Sequence, residues 1–187
     1  DHLLAVVPQG GHPWVRDVTI SNSTFGNRYA QIAAPHLGVH ALGGGIGQGI
    51  AMAIGAAAGS EARTIALVGD GGAQLGIAEL ITAVDAELPI TFVLMNDAAY
   101  GVIENIQDAQ YDGRRHYSKL KTPDFGLLCQ SIDMPHTRVG RIEDFPQALD
   151  ATLGRSGPVV VEVDMVSIGP FADSFDGPPA GAAGGKS

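Results

Sequence analysis

The stretch IALVGDGGAQLGIAEL, residues 65–80, decides the fold. Its first half, with Arg63 and Thr64 before it, is β-rich and apolar at consecutive positions. That pattern suits an inner strand of a parallel sheet, buried on both faces. The run stops at Gly69, and a helix pattern follows over residues 73–87. Between them sits a lone carboxylate, Asp70, flanked by Gly69 and by Gly71-Gly72, where the backbone is barest. A second fully apolar strand, ITFVLMN (residues 90–96), follows Pro89 and ends in Asn96-Asp97, with another helix over residues 100–110.

Outward from this pair the same alternation continues. VRDVTIS (15–21) reads as a strand, TFGNRYAQIA (24–33) as a short helix stopped before Pro35, and LGVHAL (37–42) as an extended run. Residues 46–58 read as a buried, glycine-rich helix. YDGRRHYSKLKTPD (111–124) reads as a polar, mobile loop. Two further helices fall at 124–131 and 143–153, and PHTRVG and GPVVVEVDM form the last strands. Alternating strands and helices imply an α/β fold: a mostly parallel twisted sheet with helices on both faces. Ligands in such sheets sit beyond the carboxyl ends of the strands, where Asp70 and Asn96-Asp97 lie. The expected organisation is one domain over 1–170 and a flexible Gly/Ala/Pro-rich tail over 171–187.

The chain has 187 residues, 45% hydrophobic and 17% charged, enough for a single core of this kind. A net charge of −9 disfavours nucleic acid and anionic membrane surfaces as partners. Cys129 is the only cysteine, so neither an intrachain disulfide nor a CxxC metal site exists. This suits a cytoplasmic protein. The longest weakly polar stretch, residues 45–59, is too short and glycine-rich for a membrane span.

Two readings of Asp70 stand side by side. It is a helix N-cap with Asn96-Asp97 as a turn, or it is half of a cation site. Free N–H groups at Gly71, Gly72 and Ala73 would suit an anion, which the adjacent carboxylate would repel. A hard divalent ion such as Mg2+ between the two resolves that conflict, with oxygens from the neighbouring strand end completing its shell. Standard nucleotide motifs do not compete: GGGIGQG fails G-x-G-x-x-G in every register, and no G-K-[ST] occurs. No H-E-x-x-H occurs either.

GDGG at 69–72 followed by MND ending at Asp97 resembles the thiamin diphosphate motif, G-D-G and then N-N about two dozen residues on. LGGGIGQGIAMAIGAA resembles the glycine-rich stretch upstream of that motif, and GPVVVEV its closing strand. The chain is thus similar to the diphosphate-binding domain of thiamin diphosphate enzymes, of the acetolactate synthase and benzoylformate decarboxylase type. The resemblance implies Mg2+ ligands at Asp70, at Asp97 and at the carbonyl of Ala99. Asp97 departs from the family's usual Asn and adds negative charge beside the diphosphate. The resemblance further implies diphosphate contacts from Gly71, Gly72, Ala73, Tyr100 and Gly101, and places Gly69 among the cofactor-binding residues. Ser23 and Thr24 match a hydroxyl-bearing stretch, although Thr24 also reads as a helix cap. Gly44 matches the carbonyl that receives the aminopyrimidine, and Ile46 the residue that props the cofactor bent, with first-turn packing as its alternative. Val102, Ile103 and Ile106 match substrate-pocket positions, or else a helix core face.

The implied activity is decarboxylation or carboligation of a 2-oxo acid, with the cofactor as electron sink. The activating Glu is expected on a pyrimidine-binding domain that this chain lacks, so no catalytic residue is assigned within it. Glu104 lies one position from a catalytic Glu of pyruvate decarboxylases, about 100° around the helix, and takes no such role. His36, His40, His116 and His136 read as loop or surface residues. Arg114, Arg115, His116, Lys119 and Lys121 read as a solvated basic loop. The resemblance implies a homo-oligomer and leaves FAD, where the parent enzyme carries it, to a domain outside this chain. A copy on its own is expected to bind Mg2+-diphosphate weakly and to catalyse nothing. Acetolactate synthase itself, and a non-catalytic interaction module, are the alternatives.

Overall fold

The computed structural model describes residues 1–22, 26 and 29–169. The expected tail over 171–187, and Ser23 and Thr24, lie outside the described residues. Six strands form one sheet, all parallel: β1 (Trp14–Arg16), β2 (Gly38–His40), β3 (Thr64–Gly69), β4 (Ile90–Asn96), β5 (His136–Val139) and β6 (Val159–Asp164), in the order β2-β1-β3-β4-β6-β5. Every residue of β3, β4 and β6 is buried, which suits their largely apolar sequences, with Glu162 and Asp164 of β6 buried as well.

Side chains alternate between two cores. Ala66, Val68, Phe92, Leu94 and Val160 meet α2 (Gly49–Ala58), α4 (Leu80–Asp85) and α6 (Phe125–Ser131) on one face. Trp14, Ile65, Leu67, Val93 and Val163 meet α1 (His2–Gln9) and α7 (Phe145–Leu153) on the other. Each fully buried Val, Leu, Ile or Phe contributes on the order of 1.5–3 kcal/mol relative to exposure. The helices are therefore held by the sheet rather than by their own propensity.

Several elements differ from the sequence reading. The strand expected over 15–21 stops at Arg16. Beyond it the Asp17 carboxylate takes the next backbone amide, Val18, at 2.8 Å. No helix forms over 29–33, the later part of the helix expected over 24–33; Ala34, next to Pro35, is extended at φ −153°. The glycine-rich helix starts at Gly49 rather than Ile46, because Gly47 has φ +89° and cannot enter a right-handed helix. The helix expected over 73–87 opens earlier, as α3 (Asp70–Gly76), then tightens into a 3-10 turn (Ile77–Glu79) before α4. The helix α1 was not foreseen, although Leu3 and Val7 at i, i+4 are its buried face.

The register sets the chemistry. Gly69 pairs with Met95, so Asp70 and Asn96-Asp97 emerge from adjacent strands at the same level. From β1 the chain moves outward to β2, whereas from β3 it moves the opposite way to β4. The crevice between β1 and β3 is thus a topological switch point, the usual ligand site of open parallel sheets.

Candidate functional site

A cleft of about 400 Å3 opens at this switch point. Val18, Thr19 and Ile20 after β1 form one wall, and Gly44 and Ile46 of the glycine-rich loop form the lip. Gly69, Asp70, Gly71 and Gly72 form the floor. Asp97, Ala99, Tyr100 and Gly101 close the far side, with Val102 and Ile103 of α5 (Gly101–Gln110) beyond them. Gly44 has φ +71°, a left-handed turn that glycine adopts without strain. At Gly101 a Cβ would strike the Asp97 Oδ2, so the helix start packs directly on that carboxylate.

The two carboxylates are the electrostatic centre. Asp70 is 2% exposed and is the first residue of α3, where Gly69 holds the N-cap position. The N-cap position falls on Gly69, one residue before Asp70, so the carboxylate sits inside the first turn rather than at the cap. Its Oδ2 is buried with no hydrogen-bond partner. Burial, then the charge of Asp97, push the Asp70 carboxyl up to about 7, with the amides of Gly71 and Ala99 pulling the other way. Burial also raises the Asp97 carboxyl, against the hydrogen bond from Asp70 and the Ala99 amide, which pull it down. A buried carboxyl with an orphan oxygen, set beside the half-buried carboxyl of Asp97, is costly unless a cation joins the two. The donor set suits a hard ion: carboxylate and carbonyl oxygens, no sulfur, no imidazole. Among the described residues no group of three or more His, Cys, Asp or Glu converges on one point. An ion held here would have to draw the rest of its shell from backbone and ligand oxygens.

Asp17 is the principal residue that sequence reasoning missed. It is 1% exposed, and its Oδ2 accepts from the N–H of Gly47 and of Gly49, both at 3.1 Å. It ties the glycine-rich loop to the end of β1. A Cβ on Gly72 would come within 2.7 Å of the same oxygen, so the helix α3 also packs on this carboxylate. Asp17 resembles an ordinary polar position of an alternating strand, and its partners lie 30 and 32 residues away.

A second network supports the turn after β4 from below. Asn96 Nδ2 donates to Glu162 Oε1 at 2.8 Å, leaving Asn96 Oδ1 to accept from the Ala98 N–H at 3.3 Å. A carboxylate accepts only, so Glu162 sets which end of the Asn96 amide faces Ala98. His136 lies 2.8 Å from the other Glu162 oxygen. Burial works to raise Glu162, but His136, Asn96 and Arg138 outweigh it and hold the carboxyl below its usual range. His136 is therefore not a loop or surface residue, as its sequence context suggests; His36, His40 and His116 are exposed.

Other predicted residues divide. Ala73 packs in the core and does not line the cleft. Because α3 begins at Asp70, the Ala73 amide is already within the helix ladder. The Tyr100 N–H donates to Ser118 O at 2.7 Å, so the amide is already used. Val102 and Ile103 line the cleft and Ile106 does not. The basic segment is not simply solvated: Arg115 and Lys119 pair with the buried Glu104, and Arg115 also with Asp108.

Comparison with known proteins agrees with this architecture. The family described as "Thiamine pyrophosphate enzyme, C-terminal TPP binding domain" matches residues 19–163. The mitochondrial acetolactate synthase catalytic subunit of Saccharomyces cerevisiae is 29% identical over 133 residues, 70% of this chain and 19% of that one. The acetolactate synthase isozyme 3 large subunit of Escherichia coli is 29% identical over 149 residues, 78% of this chain and 25% of that one. The thiamine diphosphate-dependent 4-hydroxybenzoylformate decarboxylase of Rhodococcus jostii superposes with a TM-score of 0.76 at 26% identity, covering 87% of this chain and 31% of that chain. The chain thus spans a fifth to a quarter of these curated relatives.

Proposed function

The chain belongs to the thiamine pyrophosphate enzymes, as their C-terminal TPP-binding domain, and on that premise we propose that its cleft holds the Mg2+-diphosphate end of thiamin diphosphate. One observation carries the reading: the buried, unpartnered Asp70 Oδ2 beside Asp97 at the floor of the cleft. In this reading Asp70, Asp97 and the carbonyl of Ala99 hold the ion. The amides of Gly71 and Gly72 and the start of α5 at Gly101 receive diphosphate oxygens, since a helix N-terminus favours negative charge. Gly44 presents its carbonyl to the aminopyrimidine, and Ile46, 36% exposed at the lip, supports the bend of the cofactor. Ala73 acts by packing alone. When bound, the cofactor supplies the electron sink for chemistry beside the carbonyl of a 2-oxo acid.

The residues of this chain bind, orient and exclude water; proton movement at the pyrimidine needs a Glu from a partner domain. Val102 and Ile103 give the substrate side an apolar wall. The parent activity is 2-oxoacid carboligation of the acetolactate synthase kind, favoured by the names of the curated relatives, with simple decarboxylation as the second reading from the solved neighbour. A site of this kind is completed by a pyrimidine-binding domain and a homo-oligomeric assembly. An interaction module without chemistry would have no use for a buried carboxylate destabilised by a second, half-buried one beside it. Among the described residues no helix is long and apolar enough to cross a membrane, and a reducing compartment such as the cytoplasm suits the single buried thiol of Cys129.

Titration calorimetry of the chain with thiamin diphosphate tests the reading. Binding is expected to be weak, and to strengthen by roughly tenfold or more when Mg2+ is present, a difference of at least about 1.4 kcal/mol. Equal heats with and without Mg2+ would contradict it.

A further inference from the structure

We infer that Glu104 is a positioning residue of the metal site: it latches the segment 114–120 against the turn 97–100 and so sets the direction of the Ala99 carbonyl. The inference rests on the reading above, in which that carbonyl is a metal ligand.

Glu104 is the one residue of α5 that is buried, at 8% exposure. All of its partners come from the segment 114–120. Its carboxylate accepts from Ser118 Oγ at 3.0 Å and pairs with Arg115 and Lys119 at 3.2 Å each. The segment in turn grips the turn by backbone bonds. Tyr100 N–H donates to Ser118 O at 2.7 Å, and Leu120 N–H donates to Ala98 O at 2.9 Å.

These two bonds bracket an antiparallel bridge between Ala99 and Lys119. In such a pair the flanking groups face the partner strand, and the central residue turns its own N–H and C=O away from it. The Ala99 N–H indeed goes to Asp97 Oδ1 at 3.2 Å, on the carboxylate side. Ala98 takes up this arrangement with φ +53°, a left-handed conformation unfavourable for a non-glycine residue. Its N–H is held by Asn96 and its C=O by Leu120, so the strained residue is fixed from both sides. The Asn96 side is buried and built into the sheet. The Leu120 side belongs to a surface segment whose anchor is Glu104.

The test uses the chain with Mn2+ as probe, in the presence of thiamin diphosphate, and amide hydrogen exchange without metal. Glu104→Ala is expected to cut the protection of the Tyr100 and Leu120 amides at least tenfold and to weaken Mn2+ binding by about tenfold, as loss of an outer-shell partner does. Glu104→Gln keeps the Ser118 hydrogen bond and should fall between the two. Leu149→Ala, in the opposite core, lowers the melting temperature but should leave both readouts unchanged, which separates positioning from general stability. Unchanged protection and Mn2+ affinity in both Glu104 variants would overturn the latch. A wild-type chain that binds no Mn2+, while Glu104→Ala still loses protection, would overturn the metal reading instead and leave the latch standing.

Discussion

Asp70→Asn makes the metal-free chain more stable at pH 8 and at the same time removes its divalent-metal binding. The carboxyl of Asp70 is buried, lacks a partner for Oδ2 and faces Asp97. Its native titration lies well above its unfolded value, so the native state binds the proton more tightly than the unfolded chain does. The stability linked to this proton is present below about pH 4 and is lost as pH rises through the native value near 7. Asp97 is raised as well and acts in the same direction. The amide has no charge to bury, and relief of about 1–3 kcal/mol at pH 8 is expected in urea unfolding. The wild-type loss of stability from pH 4 to 7 should be correspondingly blunted in the variant. Metal affinity falls about 100-fold or more, at least ~2.7 kcal/mol. A variant that is less stable than wild type at pH 8, or that binds Mg2+ as well, would contradict the assignment.

Asp17→Ala is expected to act in the opposite sense and to cost about 3 kcal/mol or more. Three backbone amides depend on this one carboxylate, those of Val18 and Gly47 partly buried and that of Gly49 buried, and a buried donor left unpaired costs about 1–3 kcal/mol. The loop carrying Gly44 and Ile46 is then released from the end of β1, so thiamin diphosphate binding weakens along with stability. Asp17→Asn keeps one acceptor oxygen but turns an amide donor towards amide donors, and should lie between wild type and Ala. Urea unfolding and calorimetry on the three proteins check both effects. A loss below 1 kcal/mol for Asp17→Ala would show that water takes over the amides and that the loop is held by other contacts.

The sheet was legible because its central strands are buried on both faces, and runs that are apolar at nearly every position, as in β3 and β4, are what that burial favours. The carboxylate pair was legible for a related reason: Asp70 and Asp97 stand where two such runs end, and register places those ends level. What escaped is long-range. Asp17 is read as an alternating polar position until Gly47 and Gly49 are brought to it. His136 and Glu162 are 26 residues apart and meet only because β5 pairs with β6. Glu104 looks like a surface helix residue until the segment 114–120 folds over it. The broken helix after Asp70 was concealed by a pattern whose apolar spacing survives a 3-10 turn. Local period encodes the elements; the closures between them carry the polar contacts that shape the cleft.

The central claim is that one divalent ion is shared by the ends of two adjacent strands. Anomalous diffraction from crystals of the chain grown with Mn2+ and thiamin diphosphate tests it most directly. The account predicts one strong peak about 2 Å from carboxylate oxygens of both Asp70 and Asp97 and from the carbonyl oxygen of Ala99. A peak bound to only one of the two carboxylates, or none in the cleft while the cofactor is present, would contradict it.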